Sequence, residues 1–242
     1  MIETFNNIKG VIFDYGGTID TNSVHWAEVL WAAYEKMQIP VDKQDFRDAY
    51  VYGERSMAKH PLVKPTDNFL QVLRVKTHLQ IGRLFELSLL KADATQRFIY
   101  AEGVADLCYN HVLDILKMAR PVVAKLAEKY KLVLVSNFYG NIETILNDFQ
   151  LDSYFSQIVE SSVVGVRKPD PAIYQLGVDA MGYKAEEIVV IGDSYSKDMV
   201  PAKKVGCKAV WLSGPAWGVE EIDPNLPDLT IHSLDEVLDA LI

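Results

Sequence analysis

Five short runs of consecutive apolar residues alternate with segments in which apolar side chains recur every three or four positions. The runs lack the polar alternation of a half-exposed strand, so they predict strands buried on both faces of a parallel sheet. They cover residues 11–13, 132–135, 158–159, 188–191 and 209–212. Strands that alternate with helices in this way are typical of a doubly wound α/β sheet, which is the fold class we predict.

A long helical block interrupts this alternation after the first strand. Residues 23–117 contain no strand-like run, and helices are predicted over residues 26–37, 69–90 and 95–117, the last with an interruption near Gly103. The pattern predicts an all-helical cap inserted into the α/β core. The expected division of the chain is a core of residues 1–22 and 118–242 and a cap of residues 23–117.

Helix-capping residues predict where several core helices begin and end. A helix over residues 121–130 precedes the second strand, and Asn141 is the expected N-cap of a helix over residues 141–149. Asp170 is expected to cap a helix that starts at Pro171 and stops at Gly182. The last helix is preceded by Ser233 and Glu236, which have the spacing of a capping box.

Composition limits the partners that the protein is expected to have. The chain of 242 residues has a formal net charge of -9, so it repels nucleic acid and anionic membranes. Cys108 and Cys207 lie far apart and form no metal-binding or disulfide spacing. There is no signal-like pattern at the start and no apolar run of membrane-spanning length, so a cytoplasmic location is expected.

Polar residues follow the predicted strands at the edge where α/β sheets bind ligands. They are Asp14, Gly16, Gly17 and Thr18 after the first strand, Ser136 and Asn137 after the second, Lys168 after the third, and Asp193 and Asp198 after the fourth. Three carboxylates gathered at one edge repel one another unless a cation joins them, and oxygen ligands suit magnesium. A lysine and a hydroxyl beside a metal ion can orient a phosphoryl group.

Each of these residues also has an ordinary structural explanation. Asp14 or Asp198 taken alone is more often a helix cap, and Asp193 is more often a turn residue. Lys168 could be a surface lysine, and Ser136 could cap a helix. The combination is more informative than any member, because no competing phosphate-binding loop or nucleophile motif occurs in the chain.

Four motifs in order make the sequence resemble the haloacid dehalogenase superfamily. Residues 11–18 are similar to its first motif, a strand that ends in D-x-D-G-T, and Ser136 with Asn137 is similar to the second. Residues 165–174, with Lys168 in K-P-D-P, resemble the third motif, and residues 192–198 resemble the fourth, G-D-S-x-x-x-D. The resemblance implies a Rossmann-like core with an inserted helical cap.

The resemblance also implies roles for the residues at the sheet edge. Asp14 would attack phosphorus and form a phosphoaspartate. Mg²⁺ would be held by Asp14, the backbone carbonyl of Gly16 and Asp193, with Asp198 close by. Lys168 would restrain Asp14. The residues implied to bind the phosphorylated substrate or to support its loop are Thr18, Ser136, Asn137 and Lys168.

Gly16 departs from the family pattern. The family's phosphatases have a second aspartate there, which protonates the leaving group and then activates water. Glycine can do neither, although its backbone carbonyl remains available to a metal ion. General acid-base catalysis typically contributes about two to four orders of magnitude in rate. A bulky residue at this position is typical of the family's dehalogenases, and the Asp193 and Asp198 pair argues against that activity.

Three functions are therefore considered. The first is a magnesium-dependent phosphatase of a small phosphorylated metabolite, with its acid-base function weakened or supplied from the cap. The second is a carbon–phosphorus hydrolase that forms a Schiff base through a cap lysine, for which Lys59 is the candidate. The third is a non-catalytic phosphate-binding or regulatory protein. Within the cap, the residues expected to influence substrate choice are Arg55, Lys59, His60 and Lys64, and His25 and His60 are the first candidates for a replacement acid.

Overall fold

Parallel strands form a six-stranded sheet in this computed structural model, which describes residues 5–215, 218 and 221–242. The strands are β1 (Gly10–Phe13), β2 (Lys131–Ser136), β3 (Phe155–Glu160), β4 (Ile188–Gly192), β5 (Lys208–Leu212) and β6 (Leu229–Ile231). Their order across the sheet is β3-β2-β1-β4-β5-β6, and every neighbouring pair is parallel. The predicted fold class is confirmed, and all five predicted strands are present; the sequence pattern did not reveal β6.

The helices divide into a block after β1 and a set that connects the later strands. They are α1 (Trp26–Lys36), α2 (Lys43–Lys59), α3 (Phe69–Glu86), α4 (Ala94–Ala127), α5 (Ile142–Asp148), α6 (Ser161–Val164), α7 (Ala172–Met181), α8 (Val200–Lys204) and α9 (Val237–Leu241). Residues 23–117 are described throughout and contain no strand, as predicted. Among the helices of this block, α2 is the one that the sequence analysis did not assign.

The two helices predicted before β2 are in fact one. Helix α4 continues through Gly103 and carries Pro121 inside it, so neither residue interrupts it. Proline removes one backbone hydrogen bond, but Ala119, Val122 and Val123 on either side of it are buried and their packing holds the helix together. The predicted boundary between residues 117 and 118 falls within this helix, and the division into two domains stays a prediction.

Asn141 and Gly182 stand at the predicted ends of their helices, the N-cap of α7 lies one residue later than predicted, and the predicted capping box is wrong. Asn141 precedes α5, but its side chain makes no cap bond and instead donates to the Asp67 carbonyl at 2.7 Å, because that loop packs against it. Ser233 makes no cap bond either, since its hydroxyl donates to the carboxylate of Asp235. Its expected capping-box partner is Glu236, which accepts from the His232 amide at 3.3 Å. Helix α7 begins at Ala172 with Pro171 as its N-cap, so Asp170 lies one residue before the cap, although its carboxylate accepts from the Ala172 amide at 2.9 Å. Gly182 ends α7 in a left-handed conformation.

Alternating side chains of β1 supply two hydrophobic clusters, one on each face of the sheet. Val11 and Phe13 join the cluster that continues into α1 to α4, whereas Ile12 packs with Ile173 and Tyr174 of α7. Such burial on both faces is the reason for the continuous apolar runs of the strands. No helix within the described part of the chain is long and apolar enough to cross a membrane.

Gly177 allows α7 to lie close to the sheet. A Cβ there would be 2.8 Å from Val135 Cγ2 and 3.0 Å from Ile12 Cδ1. We therefore expect Gly177→Ala to lower the free energy of unfolding, because overpacking typically costs about 1–3 kcal/mol. The matched control is Gly82→Ala in α3, where a Cβ meets nothing within 4 Å and the free energy should rise by about 0.5–1 kcal/mol. Urea unfolding of both variants measures the two shifts, and shifts of the same sign would contradict the packing argument.

Candidate active site

The central strand β1 delivers Asp14 to the carboxyl edge of the sheet. The Asp14 amide donates to the Ile191 carbonyl of β4 at 2.9 Å, which fixes the backbone where the two strands end. The Asp14 side chain is only 6 % exposed. Asp193 follows β4 and Ser136 ends β2, so the three neighbouring strands β2, β1 and β4 bring the predicted residues to one edge.

Asp14, Asp193 and Asp198 form a cluster of carboxylates. One oxygen from each lies within 4.8 Å of the others. Burial raises the pKa of Asp14 and of Asp193, and the like charges of the neighbouring carboxylates raise the pKa of both further. A hard cation would relieve this repulsion, so the donor set fits a divalent metal ion such as Mg²⁺ or Ca²⁺.

Lys168 neutralises part of this charge. Its ammonium group donates to Asp14 Oδ1 at 2.5 Å and to Asp198 Oδ1 at 2.7 Å, and it is 4 % exposed. The two carboxylates raise the pKa of Lys168 against the opposite effect of burial, so the side chain stays protonated. The alternative that Lys168 is a surface lysine is wrong.

Asn137 holds the backbone that carries Lys168. Its Nδ2 donates to the Lys168 carbonyl at 3.1 Å, and its Oδ1 accepts from the Lys168 amide at 2.9 Å. Both ends of the amide are therefore occupied by protein, which explains how Lys168 is positioned. Direct binding of substrate by Asn137 stays a prediction. Ser136 is 1 % exposed and lies on the wall of the same cavity as Asp14.

Thr18 connects two of the carboxylates. Its hydroxyl lies 3.3 Å from Asp14 Oδ2 and 3.3 Å from Asp193 Oδ1, and the residue is fully buried. A hydroxyl group has one proton, so Thr18 can donate a hydrogen bond to only one of the two carboxylates at a time. Its position favours a role in holding the loop after β1 over direct contact with a substrate.

The two glycines after Asp14 differ in what they allow. Gly17 has φ of +98°, and a Cβ there would overlap the Asp193 carboxyl group at 2.3 Å, so this position requires glycine. Gly16 lies on the cavity wall, and a Cβ there would meet nothing within 4 Å. A steric clash at Cβ therefore does not explain why this residue is a glycine and not an aspartate.

Sequence reasoning missed Tyr174 and Asp20. The Tyr174 hydroxyl donates to Asp198 Oδ1 at 2.7 Å from inside α7. Asp20 accepts from the Gly17 amide at 2.7 Å and from the Trp26 indole at 2.9 Å, so it ties the loop after β1 to α1. Both residues lie in or beside the matched motifs, but their contacts depend on tertiary packing, and the only available signal was their closeness to Lys168 and Asp14.

A cavity of about 1440 Å³ opens between the sheet edge and helices α1 to α3. Arg55, Lys59, His60 and His25 lie on its wall, as expected of cap residues, whereas Lys64 is not among the described lining residues. Burial lowers the pKa of His25 to about 4, so its imidazole is neutral at pH 7 and is a poor general acid. Sequence reasoning missed a buried ion pair on the same wall, Lys76 with Glu54.

A family model for haloacid dehalogenase-like hydrolases matches residues 8–206. The chain belongs to this family. Among curated relatives of this hydrolase, the phosphoserine phosphatase of Thermus thermophilus is 36% identical over a segment covering 36% of this chain and 34% of the relative. The phosphoglycolate phosphatase of Escherichia coli strain K12 is 25% identical over a segment that covers 98% of this chain and 94% of the relative. In this phosphoserine phosphatase and in two other curated relatives, the matched segment spans less than half of the relative's length.

A solved structure of a dehalogenase with an intermediate complex has the same fold as this hydrolase. It superposes with a TM-score of 0.62 at 17% sequence identity, covering 97% of both chains. The agreement extends over the helical block as well as the sheet, because nearly the whole of each chain is aligned. At this identity the likeness establishes the fold alone.

Asp20 should make the stability of the metal-free protein depend on pH. Burial raises the pKa of Asp20 to about 7, whereas an unfolded aspartate has a pKa of about 3.9. Between these two pKa values Asp20 is protonated in the folded state and ionised in the unfolded state. The contribution of Asp20 to the free energy of unfolding therefore falls as pH rises from about 4 to about 7.

The measurement is urea unfolding of wild type and Asp20→Asn across this pH range with a chelator present. Asparagine does not titrate, so the wild type minus variant difference isolates Asp20, provided that the other carboxylates titrate alike in both proteins. We expect this difference to decrease with rising pH. A difference that is constant from pH 4 to pH 7 would show that Asp20 does not titrate in this range.

Proposed function

We propose that this chain is a magnesium-dependent phosphatase of a small phosphorylated metabolite, with Asp14 as the nucleophile. The observation that carries the proposal is the buried Asp14 carboxylate on the cavity wall, bound by Lys168 and accompanied by two further carboxylates. Family membership and the names of two relatives, a phosphoserine phosphatase and a phosphoglycolate phosphatase, support phosphoester hydrolysis.

The contacts of Asp14 leave one oxygen for attack. Lys168 binds Oδ1, whereas Oδ2 lies 3.3 Å from the Thr18 hydroxyl, so Oδ2 is the oxygen that we assign to the attack. In the proposed reaction Oδ2 forms a bond to phosphorus, and the bond from phosphorus to the leaving-group oxygen breaks, with its electron pair staying on that oxygen. Water then attacks phosphorus and the bond from phosphorus to Oδ2 breaks, which releases inorganic phosphate and restores the Asp14 carboxylate. One proton of the attacking water stays on the phosphate and the other balances, through solvent, the proton that the leaving-group oxygen takes up.

The three carboxylates differ in how many protein donors they already have. Asp198 accepts from Lys168 and Tyr174 at Oδ1 and from the Ser194 amide at Oδ2. The Asp193 carboxylate accepts only from Thr18, at 3.3 Å, within the described part of the chain. We therefore assign Asp14, Asp193 and the Gly16 carbonyl to Mg²⁺, with Asp198 as the group that positions Lys168. Bound Mg²⁺ supplies positive charge that offsets the negative charge of the phosphoryl oxygens.

A Schiff-base mechanism is less well supported. It requires a neutral lysine amine that can attack a carbonyl group. Among the cap lysines on the cavity wall, Lys76 is held in an ion pair with Glu54 that raises the pKa of its ammonium group, so it stays protonated. Lys59 lies at the exposed end of α2, and no described contact activates it.

The test of the proposed function is Asp14→Asn. Asparagine has nearly the shape of aspartate but is a poor nucleophile and a weaker metal ligand, so turnover should fall to background. We expect wild type to release inorganic phosphate from a panel of phosphorylated metabolites and an aryl phosphate, and to lose this activity on chelation of divalent metal.

The matched control for this variant is Asp239→Asn, at a position in α9 far from the cavity lining. It should keep wild-type activity. Activity of Asp14→Asn equal to that of the control would remove Asp14 as the nucleophile. Tight phosphate binding by wild type without turnover of any panel member would favour a non-catalytic protein.

Gly16 should make the rate depend on the leaving group. Because no carboxyl group stands at this position to donate a proton, aryl phosphates should react much faster than alkyl phosphates. Gly16→Asp should raise the alkyl rates selectively, since general acid catalysis contributes about 10²–10⁴-fold and a Cβ at this position meets nothing within 4 Å. The measurement is kcat/KM across aryl and alkyl phosphates of graded acidity.

The control for the added acid is Gly16→Asn, which has the same size and cannot donate a proton from a carboxyl group. Alkyl phosphates should gain from aspartate and not from asparagine. A wild-type rate that is independent of leaving-group acidity, with the chemical step shown to be rate-limiting, would mean that another residue already supplies the proton.

A further inference from the structure

A buried ion pair lies on the cavity wall on the side of the helical block. Lys76 of α3 and Glu54 of α2 are 2.8 Å apart, and the Tyr139 hydroxyl donates to the other oxygen of Glu54 at 2.9 Å. Tyr139 follows β2, so this small network joins the helical block to the sheet edge. Lys76 and Glu54 line the same cavity as Asp14.

The two charged groups are unequally accessible from the cavity. The Lys76 side chain is 9% exposed and the Glu54 side chain is 31% exposed. Lys76 is also enclosed by aromatic rings, with its nitrogen 5.5 Å from the Trp26 ring centroid and 5.9 Å from that of Tyr139. A ligand in the cavity therefore reaches the Glu54 carboxylate first. The Lys76 ammonium group lies immediately behind that carboxylate.

Both members of the pair stay charged at neutral pH. Burial alone would lower the pKa of Lys76, but Glu54 and the neighbouring tyrosine hydroxyls raise it above its usual value. Lys76 and Tyr139 in turn lower the pKa of Glu54 against the effect of burial. Burying charged groups costs desolvation energy, which the attraction between them often fails to recover. Stabilisation of the fold is therefore a weak explanation for this ion pair.

We propose that Glu54 and Lys76 recognise the leaving group of the substrate, and that this leaving group is an uncharged, hydroxylated fragment such as a polyol or a sugar. The inference rests on the proposed phosphatase function. A hydroxyl group can donate to the Glu54 carboxylate, which the contact with Lys76 keeps charged and in place. It adds no charge to a site in which the two protein charges already cancel.

Charged leaving groups fit this wall less well. A carboxylate close to Lys76 would also lie close to Glu54, so attraction and repulsion would nearly cancel while the ligand lost its hydration. An amino acid carries both charges, but it would have to separate an ion pair 2.8 Å apart and bury two further charges. A hydroxyl group can bind with the Glu54–Lys76 contact intact.

The experiment compares glycerol phosphate with propyl phosphate, which has the same carbon chain and no hydroxyl groups. We expect wild type to prefer glycerol phosphate in kcat/KM by at least about tenfold, because hydrogen bonds to charged groups are worth about 10- to 100-fold. Glu54→Gln should reduce this preference by about tenfold or more. Phosphoglycolate and phosphoserine, tested beside them, report on a carboxylate and on a zwitterion.

Two further variants separate recognition from folding. Glu102→Gln is the matched control, because Glu102 also pairs with a cation of α3, Arg74 at 2.7 Å, but lies outside the described cavity lining. It should keep the glycerol preference. The double variant Glu54→Gln with Lys76→Met leaves no unpaired charge, so it should lose the preference while its thermal unfolding stays cooperative.

The outcomes also distinguish this inference from the proposed function. Hydrolysis of the aryl phosphate with no preference for glycerol over propyl phosphate would overturn the inference alone. A preference for phosphoglycolate or phosphoserine that Glu54→Gln alters would do the same, and would assign the pair to a charged leaving group. A Glu54→Gln effect that is equal on all substrates would reduce the pair to a structural role. No hydrolysis of any phosphate, the aryl phosphate included, would overturn both.

Discussion

The contact of Lys168 with Asp14 and Asp198 is the interaction on which the site depends. Parallel strands that end side by side place carboxylates within 4.8 Å of one another, and burial makes their repulsion costly. A protonated lysine 2.5 Å from Asp14 and 2.7 Å from Asp198 offsets part of that cost. The remaining negative charge suits a divalent metal ion, as the proposed function requires.

Much of the surrounding structure serves to hold that lysine and its partners. Asn137 fixes the Lys168 backbone from the end of β2, and Tyr174 reaches Asp198 from α7. These contacts come from different elements of the fold, so a change in any one of them alters the electrostatics of Asp14. A side chain that is positioned from several directions keeps its geometry without help from a ligand.

Two of the polar contacts that join the helical block to the sheet edge involve residues of the cavity wall. Asp20 connects the loop after β1 to Trp26 of α1, and Tyr139 connects the loop after β2 to Glu54 of α2. Trp26 and Tyr139 both lie against Lys76, so the two connections meet at one buried ammonium group. The wall that would contact a leaving group is thereby fixed relative to Asp14, which is what selection between substrates requires.

The sequence by itself determined the fold class and the membership of the site. Continuous apolar runs mark strands buried on both faces, and residues that directly follow such strands must meet at one edge. The chain order of these runs is therefore enough to place Asp14, Ser136, Asp193 and Lys168 together. Local patterns also located the beginning of α7 to within one residue and its end at Gly182, because a cap depends on residues only a few positions away.

Tertiary structure decided what depends on distant neighbours. Pro121 would end an isolated helix, but buried side chains on either side of it keep α4 continuous. Asn141 stands at the predicted N-cap but makes no cap bond, because its side-chain amide is turned toward a distant carbonyl, that of Asp67. Lys76 and Glu54 are separated by more than twenty residues and carry no motif, so only the packing of α2 against α3 shows that they form a pair. Contacts of this kind are set by the packing of whole elements, and no short segment of sequence specifies them.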